Sequence, residues 1–201
     1  WIEVLKSKNV DDQTISEISR DIGRLETVTE RFSKIGAKPN LDQNDVNKII
    51  QDTINYLKTR LSKKVNFSLT PSNGEVVMAS VNIPLLEWVL ENIIKNGVDA
   101  IGGEGDIKIN VIDQSQFVYI DISDNGKGIP KGKRKTVFQP GFTTKQRGWG
   151  LGLSLTKRII ENYHSGRVFV KSSELGQGTT FRIVLNKAMQ NGRNIHSYSF
   201  L

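Results

Sequence analysis

Between residues 42 and 185 the apolar residues keep changing period, and no other feature limits the fold as tightly. Val46, Ile49, Ile50, Ile54, Leu57 and Leu61 recur at helical spacing and predict a helix over about 42–61. Val65, Phe67 and Leu69 alternate, predicting a strand that ends before Pro71, and residues 76–81 predict another. Pro84 opens a helical pattern running to Ile101, because proline fits a first turn that needs no backbone N–H. Strands follow at about 106–112 and 117–123, then a Gly-rich basic loop over about 125–148. A helix over about 150–163 and strands at about 167–172 and 179–185 complete the series. Strands interleaved with helices, with no internal repeat, predict an α/β fold, a two-layer sandwich in which helices cover a mixed sheet.

The chain ahead of this region reads differently. Ile15, Ile18, Ile22, Leu25 and Phe32 follow alternating steps of three and four, with Thr29 the one polar seam position. Trp1 to Lys8 reads as the tail of another helix, and Asn9 to Asp12 as a tight connection with a capping Asp. Residues 1–36 are therefore expected to form part of an antiparallel α-helical hairpin, whose narrow seam favours a dimeric bundle. Gly36 to Asn40 breaks the chain, so 37–186 is expected to be the main domain. Residues 187–201 form a polar tail with scattered aromatics and no assigned role.

Charge narrows the choice of partner. The chain has 28 Lys and Arg against 21 Asp and Glu, a net charge of +7. Nine of those bases lie between Asn125 and Ile160, where there is no acid, and the rest of the chain is slightly acidic. Stacking aromatics are sparse in the basic segment, so no nucleic-acid partner is expected. The absence of cysteine excludes disulfides, thiolate metal sites and a Cys nucleophile. His164 and His196 are too few for a multi-histidine metal centre. No apolar run approaches the ~20 residues of a bilayer span, and a cytoplasmic location is expected, with any longer parent free to be membrane-anchored. The chain starts at Trp1 rather than Met, so it is expected to be a piece of a longer protein.

Four constellations carry chemistry. On the helix after Pro84, Asn92, Asn96 and Asp99 share a strip between the apolar arc and an exposed arc of Glu87, Glu91 and Lys95. Two amides and an acid in that order offer oxygens to a hard cation such as Mg²⁺, although Asn pairs on helices are more often ordinary boundary residues. Asp124, at a strand end before Gly126 and Gly128, could accept from a ring amine while the glycines let a flat ligand lie close, or could simply close an Asx turn. Gly148, Gly150 and Gly152 run into a helix start, where backbone N–H groups and the helix dipole favour phosphate. No strand directly precedes them, so this is not a dinucleotide fingerprint, nor is it a Walker A loop. Gly176-Gln177-Gly178-Thr179 is a turn leading into a strand.

Taken in order, these motifs resemble the ATP-binding domain of two-component sensor histidine kinases, shared in outline with the gyrase, Hsp90 and MutL ATPases. Glu91 to Ala100 is similar to the N box, with Gly97 where Ala is usual. Asp124 to Gly128 matches the G1 box, Val137 to Lys145 the F box, Gly148 to Leu153 the G2 box, and Gly178 to Phe181 the last one. The resemblance spans about residues 84–185 and implies a Bergerat-type ATP-binding fold. Residues 1–35 resemble, less specifically, the dimerisation hairpin, which implies a homodimer.

By resemblance, ATP would bind with Mg²⁺ on Asn96, and with Asn92 and Asp99 near the phosphates. Asp124 would accept from the adenine amino group, supported by Thr179, and Gly126 and Gly128 would let the base approach. Gly148, Gly150, Leu151, Gly152 and Leu153 would line the phosphates, with Lys145 and Arg147 adding charge. The implied reaction is γ-phosphoryl transfer to a histidine and relay to a response-regulator aspartate. The water-activating Glu of the hydrolysing members is replaced here by Asn92, which cannot act as a base. The acceptor histidine is expected about three helical turns ahead of Trp1, so this chain should not phosphorylate itself alone. A non-catalytic nucleotide-binding scaffold and a gyrase/Hsp90-like ATPase are the alternatives.

Overall fold

The computed structural model describes Asp11, Thr14, Ile15, Ser19 and residues 39–61, 64–72, 76–145 and 149–187. The chain divides into two compact units, Trp1–Pro39 and Asn40–Leu201. In the first, the Asp11 carboxylate accepts from the Thr14 backbone N–H at 2.8 Å and from the Thr14 hydroxyl at 2.6 Å. That is a helix cap satisfying an otherwise orphaned donor. The rest of the expected hairpin, Trp1 to Lys8 and Ile18, Ile22, Leu25 and Phe32 of the stripe, lies outside the described residues, as does the tail beyond 187.

The second unit runs β1 (Asp42–Asp45), α1 (Val46–Lys58), β2 (Val65–Thr70), β3 (Met78–Val81), α2 (Ile83–Ile101), β4 (Gly105–Asp113), β5 (Phe117–Asp124), α3 (Gly152–Arg158), β6 (Arg167–Glu174) and β7 (Gly178–Asn186). Five strands form one sheet in the order β2-β4-β5-β7-β6. The β2–β4 pair is parallel and the others antiparallel, so the sheet is mixed and the fold is a two-layer α/β sandwich. β1 and β3 pair antiparallel in a small sheet of their own.

Period made the sandwich legible, and the structure shifts several boundaries: the first helix ends at Lys58 and the strand expected over 76–81 begins at Met78. The helix expected from 42 begins at Val46, because Asp42–Asp45 pairs with Met78–Val81. Asp-Gln-Asn-Asp has no alternation to announce a strand, and its partner strand imposes one. Asp45 then caps α1, accepting from Asn47 N–H at 3.0 Å. The helix expected over 150–163 is α-helical only to Arg158 and finishes as a π-helical turn, Ile159–Tyr163.

Along β4, β5 and β7 alternate side chains point to the helices: Ile107 and Ile109, Val118, Ile120 and Ile122, Phe181 and Ile183. α2 answers with Leu86, Val89, Leu90, Ile93 and Ile94, all buried. Each such side chain contributes roughly 1.5–3 kcal/mol by leaving water. Asn82 caps α2 by accepting from Leu85 N–H at 3.3 Å, and Gly102, at φ 67°, ends it in the left-handed conformation. Glu87, expected on an exposed arc, is half-buried, and its carboxyl is pushed up by burial, then by Glu91 and Asp52. On the opposite face of the sheet Asp121 is buried beneath Arg182, which binds it at 2.6 and 2.7 Å, and Lys171, at 2.7 Å. Burial pushes that carboxyl up, but the two cations outweigh it and hold it below the usual range.

Candidate functional site

The strip on α2 is tied to two other segments. Asn92 donates its side-chain amide to the Thr156 hydroxyl on α3 at 2.9 Å. Lys145 Nζ donates to Asn96 Oδ1 at 2.9 Å and to Asp99 Oδ2 at 2.5 Å. Two oxygens one helical turn apart therefore converge on a single cation. Glu91, adjacent to Asn92 in sequence, is turned away and paired with Lys95 at 2.8 Å.

One residue beyond Asn96, α2 meets the end of β5. A Cβ on Gly97 would lie 3.2 Å from Asp124 Cβ and 2.7 Å from Ile107 Cδ1. Gly97 thus brings the Asp124 carboxylate beside the cation-binding strip. Asp124 Oδ1 accepts from Gly126 N–H at 2.9 Å, so the Asx turn open to it in sequence does form. Burial nevertheless raises its pKa, outweighing the bonds from Gly126 and the Thr179 backbone. Asp124 is half-buried, and with about four lone-pair sites its carboxylate keeps capacity to accept beyond those two bonds.

Thr179 stands directly opposite Asp124 in the β5–β7 register. Its hydroxyl meets the Ser173 hydroxyl at 2.8 Å, and Ser173 Oγ also donates to Gly178 C=O at 3.0 Å and accepts from Ile129 N–H at 2.7 Å. A cavity of about 380 Å³ opens at this end of the sheet, lined by Asp124, Arg134, Ser173, Gln177 and Thr179 among others. Arg134 donates from Nη2 to Ser173 C=O, which ties the segment after Pro130 to β6.

A model of the family described as histidine kinase-, DNA gyrase B-, and HSP90-like ATPase matches residues 81–189. The chain belongs to that family. Nitrogen regulation protein NtrY of Azorhizobium caulinodans is 29% identical over 191 residues, which cover 90% of this chain and 24% of NtrY. Signal transduction histidine-protein kinase AtoS of Escherichia coli is 31% identical over 192 residues, covering 92% of this chain and 31% of AtoS. A crystal structure of histidine kinase ThkA in complex with response regulator protein TrrA matches with a TM-score of 0.71 at 25% identity, covering 93% of this chain and 55% of that one. The chain is similar to the ATPase domain of sensor histidine kinases and spans 24% to 31% of the length of the two relatives. No helix among the described residues is long and apolar enough to cross a membrane.

Within this ATPase domain the glycines are needed first by the protein's own backbone. A Cβ on Gly126 would stand 2.5 Å from the Ala100 carbonyl carbon, and one on Gly128, at φ 73°, 2.0 Å from Glu174 C=O. Gly150, at φ 63°, packs the G2 segment onto Gly141 and Phe142 of the F box. Gly152 lets the start of α3 approach Asn92, whose Oδ1 would be 2.5 Å from an added Cβ. Leu151 precedes α3 without a side-chain cap, and Leu153 in the first turn is half-buried. Arg147 and Gly148 lie outside the described residues.

Three site residues were not singled out from sequence. Thr156 is buried on α3 with nothing local to mark its bond to Asn92. Ser173 faces inward because a bulge between Val170 and Ser172 breaks the alternation of β6. Arg134 lies among four bases within Lys131–Lys135, and nothing in that run marks it as the one that reaches β6. His164, at the C-terminal end of the π-helical turn, is buried and bridges elements: Nε2 accepts from Asn82 N–H at 3.1 Å and Nδ1 lies 3.0 Å from Ile159 C=O. Burial lowers its pKa, so the ring is neutral and carries its proton on Nδ1.

Proposed function

We propose that this chain is the nucleotide-binding catalytic portion of a sensor histidine kinase, donating the γ-phosphoryl group of ATP to a histidine on a longer parent. The observation that carries this reading is the juxtaposition made by Gly97. A desolvated carboxylate, Asp124, stands beside a helix strip whose Asn96 and Asp99 oxygens already converge on one cation. The first suits an exocyclic ring amine, and the second a hard metal ion carrying phosphates. Those oxygens fit Mg²⁺, and when bound the ion would supply charge neutralisation at the phosphates.

In this assignment Asp124 accepts from the adenine amino group, with Thr179 beside it across the β5–β7 register. Asn96 and Asp99 hold the metal side, and Asn92, fixed by Thr156, borders the phosphates. Gly150 and Gly152 set the height of the first turn of α3, where Leu151 to Leu153 present N–H groups. Asn92 is an amide where the hydrolysing members place their water-activating Glu, and the adjacent Glu91 is paired to Lys95, which favours a kinase over a self-contained hydrolase. The complex of ThkA with the response regulator TrrA motivates the same expectation here, relay to a response-regulator receiver domain, with residues 1–36 as part of a homodimerising hairpin.

The test is phosphoryl transfer in trans. Radiolabelled γ-phosphate should pass from Mg-ATP to a helical-hairpin protein that carries the parent's upstream histidine, and not to this chain alone. Label on the present chain, or steady release of free phosphate without label on the hairpin, contradicts the assignment.

A further inference from the structure

Lys145 makes a contact that a phosphate-binding lysine does not need. An ammonium has three donors, and two of those on Lys145 go to Asn96 Oδ1 and Asp99 Oδ2, both on α2. Both acceptors belong to the pair assigned to the metal. The side chain is anchored for this reach, since the Lys145 backbone N–H is held by Thr143 Oγ1 at 3.1 Å. Gly141 N–H also donates to Gly150 C=O at 3.1 Å, so this segment is joined to the approach to α3.

We infer that Lys145 is the resident cation of the Asn96–Asp99 pair in the nucleotide-free chain, and that it and a divalent metal occupy that pair in turn. The inference rests on the nucleotide-site reading above. Two cations cannot sit between the same two oxygens without direct repulsion at short range. Metal arriving alone must therefore displace the ammonium and leave it without its anion. Metal arriving with a nucleotide brings phosphate oxygens to which the released ammonium can turn. The exchange is physically open, because the Lys145 and Asp99 side chains are 42% and 56% exposed and an exposed ion pair is weak. The consequence is coupling: the lysine makes the site a poor receptor for free metal and keeps the Asp99 carboxylate charge-compensated and Asn96 Oδ1 hydrogen-bonded until nucleotide arrives.

Manganese is a suitable probe, since the same oxygen ligands that suit Mg²⁺ suit Mn²⁺. Electron paramagnetic resonance would follow Mn²⁺ uptake by the 201-residue chain without nucleotide, for wild type, Lys145→Met, Lys145→Arg and the Lys145→Met/Asp99→Asn double variant. Lys145→Met should bind Mn²⁺ about two- to fivefold more tightly than wild type, the gain that loss of one exposed ion pair allows. Lys145→Arg should stay as weak as wild type, and Asp99→Asn should cancel the gain. Wild type must in turn take up Mn²⁺ when ADP is added. Equal Mn²⁺ affinity in wild type and Lys145→Met, with Mn-ADP uptake intact, overturns this inference and leaves the nucleotide site standing. Failure of wild type to bind Mn-ADP overturns the site assignment itself.

Discussion

In the proposed assignment Asp124 is the residue on which nucleotide recognition and folding make opposite demands. Its carboxyl is raised by burial, so the charged form is disfavoured in the folded chain relative to the unfolded one. For such a group the favourable contribution is present below the unfolded pKa and is lost as pH rises through the folded one. At neutral pH the folded chain therefore keeps a charge there at some cost. Asp124→Asn preserves an acceptor for Gly126 N–H while removing that charge, so the nucleotide-free variant should melt at a higher temperature than wild type at pH 7. The advantage should shrink as pH falls from the folded pKa toward the unfolded value of about 3.9; calorimetry from pH 7 down through that value reads both effects. A lower melting temperature at pH 7 would mean that the carboxylate is adequately solvated. Gly97 shows the same tension from the other side, since Ala there requires Ile107 to give way before Asp124 is disturbed.

At the scale of elements, the site depends on how α2 is held at both ends. Its N-terminal cap residue, Asn82, donates its backbone N–H to the His164 ring at the end of the π-helical turn. Protonated Nε2 could not accept that bond, so neutral histidine is what joins the two helices. The folded pKa lies below the unfolded value, hence the stabilisation is present above about pH 6.5 and is lost as pH falls through the folded pKa. His164→Leu should cost about 1–3 kcal/mol at pH 7 from two broken buried bonds. The gap between variant and wild type should narrow as pH drops from 7 to 5 in urea titrations; a gap independent of pH would show that the ring does not titrate with folding. Such joints explain what sequence could and could not deliver. Period alone placed α2, β4, β5 and β7, and spacing alone put Asn92, Asn96 and Asp99 on one strip. The contacts of Thr156, Ser173 and Lys145 were not legible, because each joins segments at least six residues apart, and 49 apart for Lys145 and Asn96. β1 was illegible for a related reason: its four polar residues become a strand only through β3.

For the molecule as a whole, the charge pattern and the fold now have one explanation. The acid-free stretch from Asn125 to Ile160 is the part of the domain that passes from the Asp124 end of β5, through Lys145, to α3. Not all of its cations face one ligand: Arg134 braces β6, and Lys133 lies 6.0 Å from the Phe142 ring centroid. The central claim is that Asp124 and the α2 strip together form a Mg-ATP site, and titration calorimetry of Mg-ATP tests it most directly. Wild type should bind with one site per chain, and Asp124→Asn should bind at least about tenfold more weakly, the loss of one hydrogen bond to a charged acceptor. Equal affinity in the two proteins, or no binding to wild type, would contradict it.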